Sequence, residues 1–265
     1  VDWNVPLVDG LVRDDLRIKR SLETVNLLVG KGAKVTLMTH LEPEDRTVEV
    51  LKPFLPVSVE ILENLRQNNG EKENSEEFAK ELASLADIYV NEAFSVSHRE
   101  HASIVLVPKL LPSFAGLGFI DEVENLSKVF NPKHPFLFVL GGSKFETKLP
   151  LVKKFLNIAD DIFIAGLNAK PALEMGFDKE QKITLPVGDI SAADLTKENL
   201  DILEEKIKTA EFVVWNGPLG KYEDGLKEGT LRLAKMLGDS GKEVIVGGAD
   251  TLAAIKELNI ADNFT

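Results

Sequence analysis

The chain has 265 residues, 44% of them hydrophobic and 28% charged, with no cysteine and a formal net charge of −12. The length suits one large domain or two of common size. The lack of cysteine excludes disulfides, thiolate metal sites and thiolate nucleophiles, and the acidity argues against nucleic acid or an anionic membrane as partner. Any site for an anionic substrate must therefore be a local basic pocket in an acidic body. No apolar stretch approaches the roughly 18 residues of a membrane span.

The chain opens at Val1, without a methionine, in "VDWNVPL", which reads as a strand. Sequence is expected to precede it. Along such a strand Asp2 and Asn4 share one face and Trp3 and Val5 the other. The polar pair either binds a substrate hydroxyl or lies on an exposed face, and in isolation the exposed face is the better reading. "LRIKRSLETVNLLVGKG" (16–32) is an amphipathic helix that carries Arg17 and stops at glycine. "KVTLMTH" (34–40) reads as a strand ending at His40, and "ILENLRQN" (61–68) supplies Arg66. The polar stretch 67–81 reads as a solvated loop entering the helix "SEEFAKELASLA" (75–86). "DIYVNEAF" (87–94) is a further strand, followed by His98, Arg99 and His101. The histidine spacing hints at a metal, but with no third ligand nearby a non-metal role is preferred. A basic anion site and plain surface charge stand level there.

The segment 112–135 places Pro112 and Gly116 before an amphipathic helix and Pro132 and Pro135 after it. It reads as a hinged connecting helix, giving domains at 1–111 and 131–265 joined by 112–130. "PFLFVLGGSKFETK" (135–148) then runs from an apolar strand through two glycines to Lys144 and Lys148, four residues apart where a helix begins. Lysine opposes the helix dipole at that end, and a bound anion would resolve the conflict. The stretch is not a Walker A motif, and taken alone it stands equally for a turn with surface lysines. "DIFIAG" (161–166), "EFVVWNG" (211–217) and "EVIVGGAD" (243–250) are three more strands, and "KLPLVKKFLNIA" and "KEGTLRLAKMLGDSG" are helices between them. Asn216 opens a turn, and Glu223 after it is uninformative by itself. Gly247 and Gly248 precede Asp250 and Thr251, which suits either a phosphate and Mg²⁺ at a helix start or a simple N-cap.

Strands that are nearly continuous apolar runs, alternating with helices, give an α/β class built on doubly wound parallel sheets. In such sheets ligands lie beyond the carboxyl ends of the strands. Here those ends are His40, Asn91, Gly141–Gly142, Asn216–Gly217 and Gly247–Gly248.

Taken in order, "VDWNVP", "RI", "HL", "LENLR", "VNEAF" with "HREHAS", "GGSKFETK", "WNGPLG" and "GGADT" closely resemble the phosphoglycerate kinase family, from Val1 to the end of the chain. The resemblance implies two α/β Rossmann-like domains facing a cleft that closes for reaction, the first holding phosphoglycerate and the second the nucleotide. It implies in-line, reversible transfer of the acyl phosphoryl of 1,3-bisphosphoglycerate to ADP with Mg²⁺, giving 3-phosphoglycerate and ATP. Carried over residue by residue, Asp2, Asn4, Arg17, His40, Arg66 and Arg99 match the substrate site. Lys144, Lys148, Asn216, Glu223, Gly247, Gly248, Asp250 and Thr251 match the nucleotide and phosphate site. On this basis Arg17 and Lys144 flank the migrating group, Lys148 holds nucleotide phosphate, Asp250 ligates Mg²⁺ and Glu223 takes the ribose. Arg66, Arg99 and His40 take the 3-phosphate, and Asp2 and Asn4 read the glycerate. A cytoplasmic monomer without nucleic-acid or membrane partners is expected. The rival reading is a catalytically inactive homologue that keeps the phosphate and nucleotide sites; retention of Arg17, Lys144 and Asp250 argues against it.

The match is uneven. The family's "HLGRP" reads "HLEPED" here, and Arg46 cannot be assigned to the missing arginine. "GLNAKPALEMG" poorly matches the adenine-side helix entry, and Ala249 stands where glycine is usual. Segments are also missing after "LKPFLP", within "ITLPVGDIS" and beyond "DNFT", where the family carries a glycine-rich loop. The expectation is that the missing segments belong to the protein and lie outside the sequence at hand.

Overall fold

The structure, a computed structural model, describes residues 1–264, apart from the side chain of Ala249. Contacts divide the chain into two units, Val1–Glu124 and the residues from Asn125 onward.

In the second unit, five strands form one all-parallel sheet: β7 (Phe136–Leu140), β8 (Asp161–Ile164), β9 (Ile183–Thr184), β10 (Phe212–Asn216) and β11 (Glu243–Gly247). Their order across the sheet is β11-β10-β7-β8-β9. β7 is buried along its whole length because helices cover both faces. Its residues alternate between two cores. Leu137 and Val139 pack with Val213, Trp215 and the apolar faces of α9 (Lys197–Thr209), α10 (Glu228–Asp239) and α11 (Ala249–Glu257). Phe136, Phe138 and Leu140 pack with Phe145, Val152 and Phe155 of α7 (Phe145–Phe155) and with Ala172 of α8 (Ala169–Glu174). Period-two alternation on a sheet with two buried faces is why these strands read as unbroken apolar runs.

In the first unit the strands pair only two by two. β1 (Leu7–Val8) and β2 (Leu11–Val12) form an antiparallel hairpin, while β3 (Thr36–Leu37) pairs β4 (Glu60–Ile61) and β5 (Tyr89–Asn91) pairs β6 (Ser113–Ala115), both in parallel. A largely apolar cavity of about 450 Å³, lined by Leu37, Tyr89, Val25, Leu28, Ile104 and Val107, touches both β3 and β5. The core is accordingly divided. One cluster gathers Trp3, Ile18, Leu37, Leu41 and Leu51 around α1 (Leu16–Gly30), and the other gathers Leu65, Phe78, Leu82, Tyr89 and Val107. Short helices α3 (Glu76–Ala83), α4 (Ala102–Val105) and α5 (Val107–Leu110) complete that second cluster, and α2 (Asn69–Lys72) precedes them in the chain.

Two sequence expectations are corrected here. Residues 1–6 form no strand: Val1 donates to the Met38 carbonyl at 3.1 Å, but the Trp3 amide finds the Thr39 hydroxyl at 2.9 Å instead of a backbone partner. Asp2 is buried along with Trp3, so the polar pair does not lie on an exposed face. The stretch 67–81 is not simply solvated, because Glu71 is buried and its carboxylate accepts from the Ser103 amide at 3.0 Å and hydroxyl at 2.6 Å.

Residues 112–130 hold β6, the helix α6 (Leu117–Ser127) and a short 3-10 turn (Lys128–Phe130), and the boundary between the units falls inside α6. The start of α6 is fastened to the first unit. Glu92 accepts from the Gly118 and Phe119 amides at 3.0 and 3.1 Å, and the Thr24 hydroxyl accepts from the Leu117 amide at 2.8 Å. A carboxylate on the free amides of a helix start is favoured by hydrogen bonding and by the dipole.

Candidate phosphate and nucleotide site

In the second unit the parallel register sets Leu140, Asn216 and Gly247 side by side across β7, β10 and β11. The glycines that follow are therefore neighbours in space. Gly141 N–H donates to the Asn216 carbonyl at 2.9 Å, and Gly142 N–H to the Pro218 carbonyl at 2.6 Å. A Cβ on Gly141 would run into the Gly217 and Pro218 carbonyl oxygens, and Gly217 sits at φ +92. Only glycine allows two chains to pass this closely. At Gly247 a Cβ would lie 2.9 Å from the Asn216 amide nitrogen, so the missing side chain makes room for that amide.

α7 starts at this junction. Lys144 is its N-cap, in the left-handed region at φ +61, exposed and with no side-chain partner among the described residues. For a non-glycine residue that backbone costs on the order of 1 kcal/mol. One turn on, half-buried Lys148 donates to the Gly141 carbonyl at 2.9 Å. Burial lowers its pKa, against the opposing pull of Asp250. Asp250 lies in the first turn of α11, and no hydrogen bond ties its carboxylate among the described residues. Thr251 is fully buried, and its hydroxyl accepts from the Gly217 amide at 3.1 Å, which ties the start of α11 to the glycine turn. Glu223 is exposed in a short 3-10 turn (Tyr222–Asp224).

Sequence reasoning missed Asn168. It is fully buried, its Nδ2 donates to the Gly141 carbonyl at 2.7 Å and its Oδ1 has no partner among the described residues. The only sequence signal was the weak "GLNAK" match.

The first unit gathers most of its predicted residues into a second basic cluster. Arg17 donates to Asp2 at 2.6 Å, and Asp2 also accepts from the Ser95 hydroxyl and, at 3.3 Å, from the Asn4 amide. The Asn4 Oδ1 accepts from the Glu42 amide at 3.1 Å. Arg66 is buried and pairs through Nη1 with Glu42, while its Nε has no partner among the described residues. Beside it lies His40, whose Nε2 is also buried and unpartnered. Burial, then the Arg66 guanidinium, pulls the His40 imidazole down to about 4, so the ring is neutral at pH 7. Arg99 is half-exposed, with a guanidinium that has no partner among the described residues. Ser95 and Glu42 were not foreseen; both are short-range neighbours of motif residues that no periodicity singles out.

A parallel sheet whose carboxyl ends are glycine turns, with a half-buried lysine anchored on one of them and an untied carboxylate acting on that lysine, defines an α/β protein with an anion-binding arrangement at its strand ends. The family model for phosphoglycerate kinase matches residues 1–56, 44–176 and 172–265. The chain belongs to the phosphoglycerate kinase family. It is 32% identical to the phosphoglycerate kinase of Finegoldia magna, across all of this chain and 88% of that protein, and 30% identical to that of Fervidobacterium nodosum with the same coverage. The first of these alignments runs over 349 positions against the 265 residues here, so parts of the relative have no counterpart in this chain. Among solved structures, phosphoglycerate kinase from Coxiella burnetii is similar with a TM-score of 0.85 and 28% identity, covering 99% of this chain and 87% of that one. That from Pyrococcus horikoshii gives 0.83 and 25%, with coverage of 97% and 86%.

Proposed function

We propose that this protein transfers the C-1 phosphoryl group of 1,3-bisphosphoglycerate to ADP, reversibly, giving 3-phosphoglycerate and ATP. The observation that carries this reading is the glycine junction at the ends of β7, β10 and β11, with Lys148 anchored on it and Asp250 near enough to favour the charged form of Lys148. The reading includes a nucleotide-binding role for residues 131–265 and a phosphoglycerate-binding role for residues 1–111. It also takes in a cytoplasmic monomer, as expected of a glycolytic kinase. Among the described residues no helix is long and apolar enough to cross a membrane.

Phosphoryl transfer asks a protein for positioning and charge balance. The bond from phosphorus to the carboxyl oxygen breaks, its electron pair stays on the carboxylate, and a β-phosphate oxygen of ADP forms the new bond. The attacking β-phosphate oxygen is already ionised and the departing carboxylate needs no proton, so neither a general base nor a general acid is required. Lys148 spends one N–H on Gly141 and keeps two for phosphate oxygens. The exposed Lys144 and the half-exposed Arg17 supply charge for the equatorial oxygens of the migrating group. In the first unit Arg66, Arg99 and His40 take the 3-phosphate; neutral His40 contributes a hydrogen bond and no charge. Asp2 and Asn4 are engaged with Arg17 and Glu42, so they orient the glycerate-binding groups as well as offering contacts.

The single untied carboxylate of Asp250 fits Mg²⁺, which is held by one or two carboxylates together with nucleotide phosphates. Bound there with nucleotide, the ion would neutralise charge on the phosphates. The test is turnover of ATP with 3-phosphoglycerate, with and without excess chelator. Turnover that needs both substrates and stops with chelator is expected; no turnover in full-length protein would sink the kinase reading.

A further inference from the structure

Arg66 is 5% exposed, while its partner Glu42 is 54% exposed. A buried guanidinium without an anion is costly, so this position needs a counter-charge at all times. Glu42 supplies it incompletely. Its carboxylate takes Nη1, and the buried Nε beside it has no acceptor among the described residues, nor does the neighbouring His40 Nε2 have a partner.

The backbone behind Glu42 is fixed. Its amide donates to Asn4 Oδ1 at 3.1 Å, and Asn64 Nδ2 donates to the Leu41 and Glu44 carbonyls at 3.0 and 3.1 Å. The loop is thus pinned while the acidic side chain reaches in from solvent and is free to leave by a change of rotamer. A phosphate has three acceptor oxygens and a larger charge. It can take Nε and Nη together in the fork geometry that suits guanidinium.

We propose that Glu42 is a built-in competitor for Arg66: its carboxylate must be displaced when a phosphomonoester binds, and it thereby sets the affinity of the site and its preference for phosphate over carboxylate ligands. This rests on the reading of Arg66 as a phosphate-binding residue. A monoanionic carboxylate gains little by replacing another carboxylate, whereas a dianionic phosphate gains both the second donor and the extra charge. In this chain the acidic residue of "HLEPED" therefore narrows the site to strongly anionic ligands.

The experiment is calorimetric titration of the full chain with inorganic phosphate, 3-phosphoglycerate, glycerate and ADP, in the wild type and in Glu42→Gln. Glu42→Gln should bind phosphate and 3-phosphoglycerate roughly tenfold more tightly and glycerate more tightly by at least as large a factor, so that the preference for phosphate relaxes, with ADP unchanged. Arg66→Gln added to Glu42→Gln should cancel the gain, because the two act through one contact. The proposal is overturned by unchanged or weaker phosphate binding in Glu42→Gln with circular dichroism intact, by no phosphate binding in either protein, or by a gain that survives Arg66→Gln. Failure of the functional reading looks different. Phosphate would bind more tightly to the variant as expected, yet 3-phosphoglycerate would bind no better than phosphate itself.

Discussion

The Lys148 ammonium and the Asn168 amide converge on one acceptor, the carbonyl of Gly141, at 2.9 and 2.7 Å. That carbonyl sits where β7 and the turn after β10 touch backbone to backbone, so the position of the lysine depends on two glycines having no side chain.

Gly141→Ala should therefore do two things. Forcing a methyl against two carbonyl oxygens should cost about 2–3 kcal/mol of stability, and the displaced carbonyl should release Lys148 and weaken ADP binding. Gly176→Ala is the control: Gly176 has φ +81 but open space around it, so only the backbone strain of about 1 kcal/mol applies. Urea melts and ADP titrations of both variants check this. Equal losses in the two would remove the close-approach argument.

Arg17→Ala and Lys144→Ala should lower kcat far more than they weaken nucleotide binding. The proposed function assigns both cations to charge that develops during transfer. A loss on the order of 10²–10³ in kcat is expected for one such donor. Steady-state kinetics would reassign either residue if only its KM for ATP rose.

Arg66→Ala should weaken 3-phosphoglycerate binding and leave ADP affinity nearly unchanged when each ligand is titrated alone. Lys148→Ala should do the reverse. The buried guanidinium belongs to the first unit and the half-buried ammonium to the second. Loss of ADP binding in a folded Arg66→Ala variant would contradict separate half-sites.

His40 gives the stability a pH dependence. Its folded value of about 4 lies below the ordinary 6.5, so the unfolded chain takes up the proton first as pH falls. The stability contributed by the neutral ring is complete above about pH 6.5 and is lost as pH drops towards 4. Between pH 7 and 5 the urea midpoint should fall less steeply in His40→Gln than in the wild type. Parallel slopes would show that His40 is not the group responsible.

The second unit was legible because its strands are buried on both faces. "PFLFVLGG" and "EFVVWNG" mark β7 and β10 to within two residues, since nothing polar interrupts them. In the first unit "KVTLMTH" carries the same signal, but only Thr36 and Leu37 pair. Hydropathy reports burial and says nothing of whether a neighbouring strand lies in register, and β3 borders a cavity on its way to β5. Asp2 and Arg66 were recognised through motifs. The ion pair of Arg66 with Glu42 was not, because an exposed glutamate 24 positions away looks like any surface charge.

The uneven strand pairing has a consequence for backbone amide exchange. In β7 and β10 every strand has a neighbour on both sides, so their amides should reach deuterated solvent only when the whole sheet opens. Among the described residues β3 and β5 each have one neighbour, and the Trp3 amide is held by a side-chain hydroxyl. Amides at 36–37 and 89–91 should therefore exchange through small local openings, orders of magnitude sooner than those at 136–140. Mass-spectrometric labelling of one folded sample should then resolve two separate protection levels along a single chain, with the change falling near the middle of α6.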